Sequence, residues 1–235
     1  MTDDRDKTTG KEHIKKFSFQ SRKNEQEKVE ILIPELLQAG YSFYTWPSAH
    51  FLASFLYNQR DSLRDKNILE LGSGTALPGI LCAKLGARVT LSDCSTLPKT
   101  QNHIKHSCFL NNLNVGTDIN VVGLTWGLLS HNLFQLGALD FIISSDCFYD
   151  PTVFEDILVT VTFLLERNPT CKFIFAYQER SADWCLENLL RKWGLKCANI
   201  NTDRLGENTI VDTHGTGGVV GGSNPSLHLF EITLE

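Results

Sequence analysis

The sequence predicts a doubly wound α/β sheet, and three observations carry that expectation. Short apolar runs alternate with helical patterns from residue 67 to residue 194, and no internal repeat interrupts them. At 68–79 an apolar run breaks into a glycine loop and resumes as a helical pattern, ILELGSGTALPG. Apolar strands buried on both faces beneath covering helices read in this way. Ligands of such sheets sit at the carboxyl ends of the strands.

The elements follow in order. Residues 1–27 are polar, with only Ile14, Phe17 and Phe19 as apolar points, and are expected as a partly disordered tail. Residues 28–235 are expected as one domain, in which 28–60 form an N-terminal cap: a strand at 28–33, then a helix whose first turn holds Pro47. Next come a strand at 67–71, the helix LPGILCAKLG, a strand at 88–92 and a polar helix near 97–112. The strand at 119–124, a short helix near 131–136, the strand at 139–144 and a proline-opened helix at 151–167 continue the alternation. A strand at 172–177 and a helix over 181–194 complete it. Residues 206–226 are glycine-rich and read as a loop, and 227–234 is expected as the strand that closes the sheet.

Composition excludes several classes. A net charge of −5 without a dominant basic block argues against nucleic-acid binding and suits a cationic partner. No apolar stretch approaches the roughly 20 residues that span a bilayer, and the polar start does not read as a signal peptide. The seven cysteines are scattered and never in CxxC spacing, so they read as reduced thiols. No metal site is expected, and His103 and His106 read as a solvated helix face.

The glycine loop decides the ligand. A phosphate-cradling loop needs a lysine and a hydroxyl where Leu77-Pro78-Gly79 stands, and a dinucleotide fingerprint needs a third small residue where Leu77 stands. S-adenosylmethionine fits better, because it carries a sulfonium cation and no phosphate. Glu70 precedes the loop Gly72-Ser73-Gly74, where a carboxylate repels pyrophosphate and suits a cationic ligand. Asp93 ends the next strand, about 20 residues on, where an acid can hold both ribose hydroxyls. Trp126 follows the third strand of this alternation and offers a flat surface to adenine. Asp146 follows a buried strand at the same edge, where a role in the chemistry is expected; Asp150-Pro151 reads as a helix cap with a first-turn proline.

Glu70-x-Gly72-x-Gly74 with Leu77-Pro78-Gly79, Leu91-Ser92-Asp93, Leu124-Thr125-Trp126-Gly127 and Asp146-Cys147-Phe148-Tyr149 resembles the seven-strand methyltransferase family of lysine-directed, non-histone type. FYTWPSAHFLASFL and YQERSADW extend the likeness, which runs from about residue 41 to residue 194. The resemblance implies a Rossmann-like seven-strand sheet with a reversed last strand. It also implies cofactor contacts from Trp46, Gly72, Gly74, Asp93, Trp126 and Ser145, and a substrate site around residues 146–149. For the most similar members it implies an arginine methyltransferase acting on histone H3, associated with chaperones, in the nucleus and cytoplasm.

Chemistry keeps two acceptors open. Losing a proton at pH 7 costs a lysine about 4.6 kcal/mol and an arginine about 9 kcal/mol. Arginine therefore needs a carboxylate that polarises the guanidinium and a proton lost late. Asp146 is the candidate carboxylate, Tyr149 a channel-lining oxygen and Glu179 the candidate second acid. The chain lacks the double-glutamate loop of the better-known arginine enzymes, which leaves lysine of a non-histone protein open. A cofactor-binding regulator that does not turn over is the rival class.

Overall fold

The computed structural model describes residues 11–21, 24–180, 185–202, 208–212 and 226–235. Its centre is a seven-stranded sheet. Five strands run parallel: β3 (Asn67–Leu71), β4 (Arg88–Asp93), β5 (Ile119–Gly123), β6 (Phe141–Ser145) and β7 (Lys172–Gln178). Two more, β8 (Leu195–Asn199) and β10 (Leu227–Leu234), complete the order β5-β4-β3-β6-β7-β10-β8. The last strand, β10, is antiparallel to both of its neighbours.

That arrangement confirms the doubly wound sheet with its reversed last strand and adds one strand that the sequence did not suggest. β10 is inserted between β7 and β8. The strand read at 28–33 is not in this sheet, and the seventh place belongs to β8. The run LKCAN escaped the sequence reading because only Leu195 is buried there and its other residues face outward.

Helices cover both faces. α1 (Pro47–Asn58), α3 (Leu77–Lys84) and α4 (Pro98–Leu110) share one core with Ile68, Leu91 and Ile143. α5 (His131–Phe134), α6 (Phe154–Arg167) and α7 (Glu187–Lys192) share the other with Leu69, Leu71 and Ile142. Strand side chains alternate between faces, so consecutive residues of β3 and β6 enter different cores. A one-turn helix, α2 (Arg60–Leu63), connects α1 to β3. The helix read at 181–194 is confined to α7, with 181–184 outside the described residues. Asp150 caps a 3₁₀ turn at Pro151–Val153 ahead of α6, accepting from Thr152 N at 2.9 Å, as its place before a proline suggested.

The N-terminal region departs most from expectation. β1 (His13–Ser21) and β2 (Asn24–Glu35) form an antiparallel hairpin, and β9 (Asn208–Asp212) adds to the other side of β1. Residues 13–21 are therefore a strand where the sequence suggested a tail. Phe17 and Phe19 are fully buried with Ile31 and Ile33 against α1, α3 and α4. The period-2 signal was confined to those two phenylalanines beside two lysines, and β9 comes from the far end of the chain. Most of 206–226 otherwise lies outside the described residues.

Candidate active site and cofactor cleft

The turn after β3 is built by backbone conformations that side chains resist. Gly72 and Gly74 have φ of 62° and 51°, and Ala76, at the start of α3, follows with 65°. A Cβ on Gly72 would stand 2.9 Å from Cζ2 of Trp126, so the indole lies directly over the turn. The loop is tied to the neighbouring strand: Ser73 N donates to Ser92 O at 2.9 Å, and Ser92 N donates to Ser73 Oγ at 3.1 Å. Gly74 N donates to Asp93 Oδ2 at 3.0 Å, and Cys94 N to Asp93 Oδ1 at 2.8 Å. Two backbone donors thus fix the Asp93 carboxylate at the carboxyl end of β4. Burial pushes its pKa upward while these bonds pull it down.

The N-terminal cap closes over the loop. A Cβ on Gly74 would meet Ser42 O at 3.4 Å, and Thr45 Oγ1 and Thr75 Oγ1 are hydrogen-bonded at 3.1 Å. Thr45 N donates to the buried Glu35 carboxylate, whose charge Lys15 meets at 3.0 Å. The tie from hairpin to glycine loop was not read from the sequence, because its partners lie far apart in the chain.

Two expected cofactor contacts have structural places instead. Glu70 is fully buried, directed beneath α3, and accepts from Gly79 N at 3.2 Å. Strand alternation explains this: Leu69 and Leu71 take one face of β3, so Glu70 must take the face that α3 covers. The Ser73 hydroxyl is likewise turned into the β3–β4 junction. Trp46 lies at the N-cap of α1 among Tyr41 and Tyr44, with its Nε1 donating to Tyr41 O at 3.1 Å. Ser145 ends β6 and is half-buried.

The acid after β6 is the centre of the other half of the cleft. Asp146 has φ of 62°, a left-handed conformation uncommon outside glycine, and is buried. Its amide donates to Ala176 O at 2.8 Å, which anchors it to β7. Its carboxylate is engaged by Arg180 as a two-pronged pair: Nη1 to Oδ1 at 2.7 Å, and Nη2 to Oδ2. The Arg180 guanidinium also lies 6.0 Å from the Trp46 ring centre. Arg180 was not singled out from the sequence; it follows Glu179 in YQER, and nothing local reveals which of the two charges turns inward.

Glu179 is exposed and faces His228 at 3.5 Å, so it does not join Asp146 as a second acid. Tyr149 is half-exposed, with its ring centre 6.5 Å from that of Trp126. Of the two histidines only His103 differs from expectation: it is buried against Phe43, with its pKa lowered by burial, while His106 is on the surface and pairs with Glu12 at 3.1 Å. No metal-binding cluster occurs among the described residues. An apolar cavity of about 540 Å³ between α7 and the sheet, lined by Phe175, Tyr177, Leu190 and Phe230, holds neither Asp93 nor Asp146.

The donors and surfaces fit S-adenosylmethionine. Gly72 and Gly74 turn the backbone beside the cleft without a side chain, Asp93 presents an oriented carboxylate to a ribose, and Trp126 offers an aromatic face. When bound, the cofactor supplies a methyl group on a sulfonium sulfur, whose transfer forms a bond to the acceptor as the carbon–sulfur bond breaks.

Fold and cleft define a class: this is an S-adenosylmethionine-dependent methyltransferase. The chain belongs to the family described as lysine methyltransferase, whose model matches residues 24–187. It is 48% identical over 189 residues to a Xenopus laevis protein named histone-arginine methyltransferase METTL23, covering 80% of this chain and 79% of that one. The human protein of the same name is 46% identical over 178 residues, covering 73% and 92%. Among solved structures, an S-adenosylmethionine-dependent methyltransferase from Agrobacterium tumefaciens superposes with a TM-score of 0.56 at 14% identity, covering 87% of this chain and 67% of that one, a likeness of fold.

Proposed function

We propose that this enzyme methylates a guanidinium nitrogen of an arginine in a basic protein segment, with histone H3 as the substrate. One observation carries the arginine reading: the buried Asp146 carboxylate already holds a guanidinium by both oxygens, beside an indole. Planar, two-pronged recognition is a property of arginine, whereas lysine offers a single point charge. The names of the frog and human relatives support the same acceptor.

The chemistry asked of Asp146 follows from the acceptor's acidity. Complete deprotonation of arginine at pH 7 costs about 9 kcal/mol. A carboxylate pairing with Nε and one Nη draws positive charge onto those nitrogens and leaves the other Nη electron-rich. That nitrogen attacks while still protonated and releases its proton afterwards. Burial keeps the carboxylate unscreened, so the polarisation acts at full strength. Tyr149, whose pKa burial pushes upward, stays a neutral hydroxyl at the cleft's rim. We place this activity in the nucleus and cytoplasm, with chaperone association as a further element of the reading.

The test is direct. Core histones incubated with enzyme and labelled donor are digested and sequenced by tandem mass spectrometry. Label on arginine of H3 is expected; label confined to lysine would transfer the assignment to the family's other acceptor chemistry.

A further inference from the structure

We infer that Arg180 is a resident competitor for the acceptor site: its guanidinium occupies the Asp146 carboxylate and the Trp46 face that the incoming arginine must take. The inference rests on the arginine reading and extends it to selectivity. Arg180 engages Asp146 through both Nη nitrogens and donates from Nη1 to Gln178 O at 3.3 Å. Asp146 is fixed by its own amide on β7, its position not depending on Arg180 alone. Arg180, by contrast, belongs to the exposed end of the chain after β7, and its side chain is 28% exposed against 4% for Asp146. The acid is the fixed member of the pair and the guanidinium the movable one.

Exchange explains how such a pair discriminates. Removing a cation from a buried carboxylate leaves an uncompensated charge, so Arg180 leaves only as another cation arrives. A substrate guanidinium replaces both hydrogen bonds and the indole contact, and the exchange is nearly even. A lysine ammonium restores the charge without the two-pronged geometry, and the resident group outcompetes it. Substrate affinity is lowered by the free energy of displacing Arg180 from the carboxylate. Arg180 is thus a specificity-determining residue that raises the threshold for entry without touching the reacting atoms.

The experiment compares wild-type enzyme with Arg180→Gln and Arg180→Lys, each checked for folding by thermal melting. Donor affinity is measured by calorimetry, and affinity for an H3 peptide and for its arginine-to-lysine counterpart by fluorescence anisotropy; kcat and KM are then determined. Arg180→Gln is expected to bind the arginine peptide about tenfold more tightly, with KM reduced in proportion and kcat little changed. It is also expected to bind the lysine peptide that the wild type rejects, and Arg180→Lys to fall between. Unchanged or weaker peptide binding in Arg180→Gln, with kcat lost and Arg180→Lys restoring it, overturns the competitor role and makes Arg180 a support for Asp146. A wild-type enzyme that binds donor yet neither binds nor methylates the arginine peptide removes the arginine reading itself, and the competitor with it.

Discussion

Glu70 and Asp93 are neighbouring acids on adjacent strands with opposite fates. Asp93 ends its strand, where two backbone amides orient it toward the cleft. Glu70 lies one residue before the end of β3 and points into the core, where burial pushes its carboxyl up to about 8. In the unfolded chain the same group titrates near 4.5, so the folded protein binds the proton more tightly. Its contribution is complete below about pH 4.5 and is lost as pH rises through about 8. Stability is therefore expected to fall by a few kcal/mol across that window, and Glu70→Gln to flatten the fall. Urea unfolding of both proteins at several pH values measures this; parallel curves for the two would exclude Glu70 as the cause. The acid before a glycine loop was legible in the sequence. Which face of the strand it occupied was not, because the loop's neighbours on both sides of the sheet are equally apolar.

At the scale of elements, the turn from β3 into α3 is where sequence and structure agree most closely. Two glycines at positive φ, a proline in the first helical turn and a glycine at residue 79 all have geometric reasons. At Gly79 helix and sheet approach so closely that an added Cβ would stand 2.3 Å from Leu91 Cδ2 and 2.5 Å from Glu70 Oε2. Gly79→Ala is expected to destabilise the fold by about 1–3 kcal/mol, read as a lowered unfolding midpoint, since strand and helix must separate to admit the methyl. An unchanged midpoint would mean that the junction is loosely packed. Other elements were legible from pattern: β6 opens on Phe141, Ile142 and Ile143, β7 holds an apolar run from Phe173 to Tyr177, and α6 carries its apolar residues at helical spacing. β8 escaped because it pairs with a strand about 30 residues further on and buries only Leu195. β1 escaped because its apolar alternation is carried by Phe17 and Phe19 alone, set among lysines and polar residues.

Across the whole molecule, parallel strands bring residues from the ends of β3, β4, β6 and β7 to one edge, although they are spread from residue 71 to residue 178. The sheet's order places the glycine turn at its centre, between the acid that ends β4 and the acid that follows β6. Trp126 and the N-terminal cap border the same edge. The placement of Gly72, Gly74, Asp93 and Trp126 at strand ends was readable from spacing, whereas the inward turn of Glu70 and Ser73 was not. In the acceptor half the sequence pointed to Asp146 and Tyr149; that Arg180 and Trp46 meet beside Asp146 follows from the tertiary fold, and Glu179 turned toward β10 instead.

The division of labour between these halves is the central claim, and Asp146→Asn tests it most directly. The substitution keeps the shape of the side chain and removes its charge. Methyl transfer to histone H3, followed at saturating donor with donor affinity measured on the same samples, is expected to fall by at least about a hundredfold while the affinity stays within about twofold of wild type. Turnover at the wild-type rate would contradict the role assigned to Asp146, and lost donor binding would place that acid in the cofactor half of the cleft.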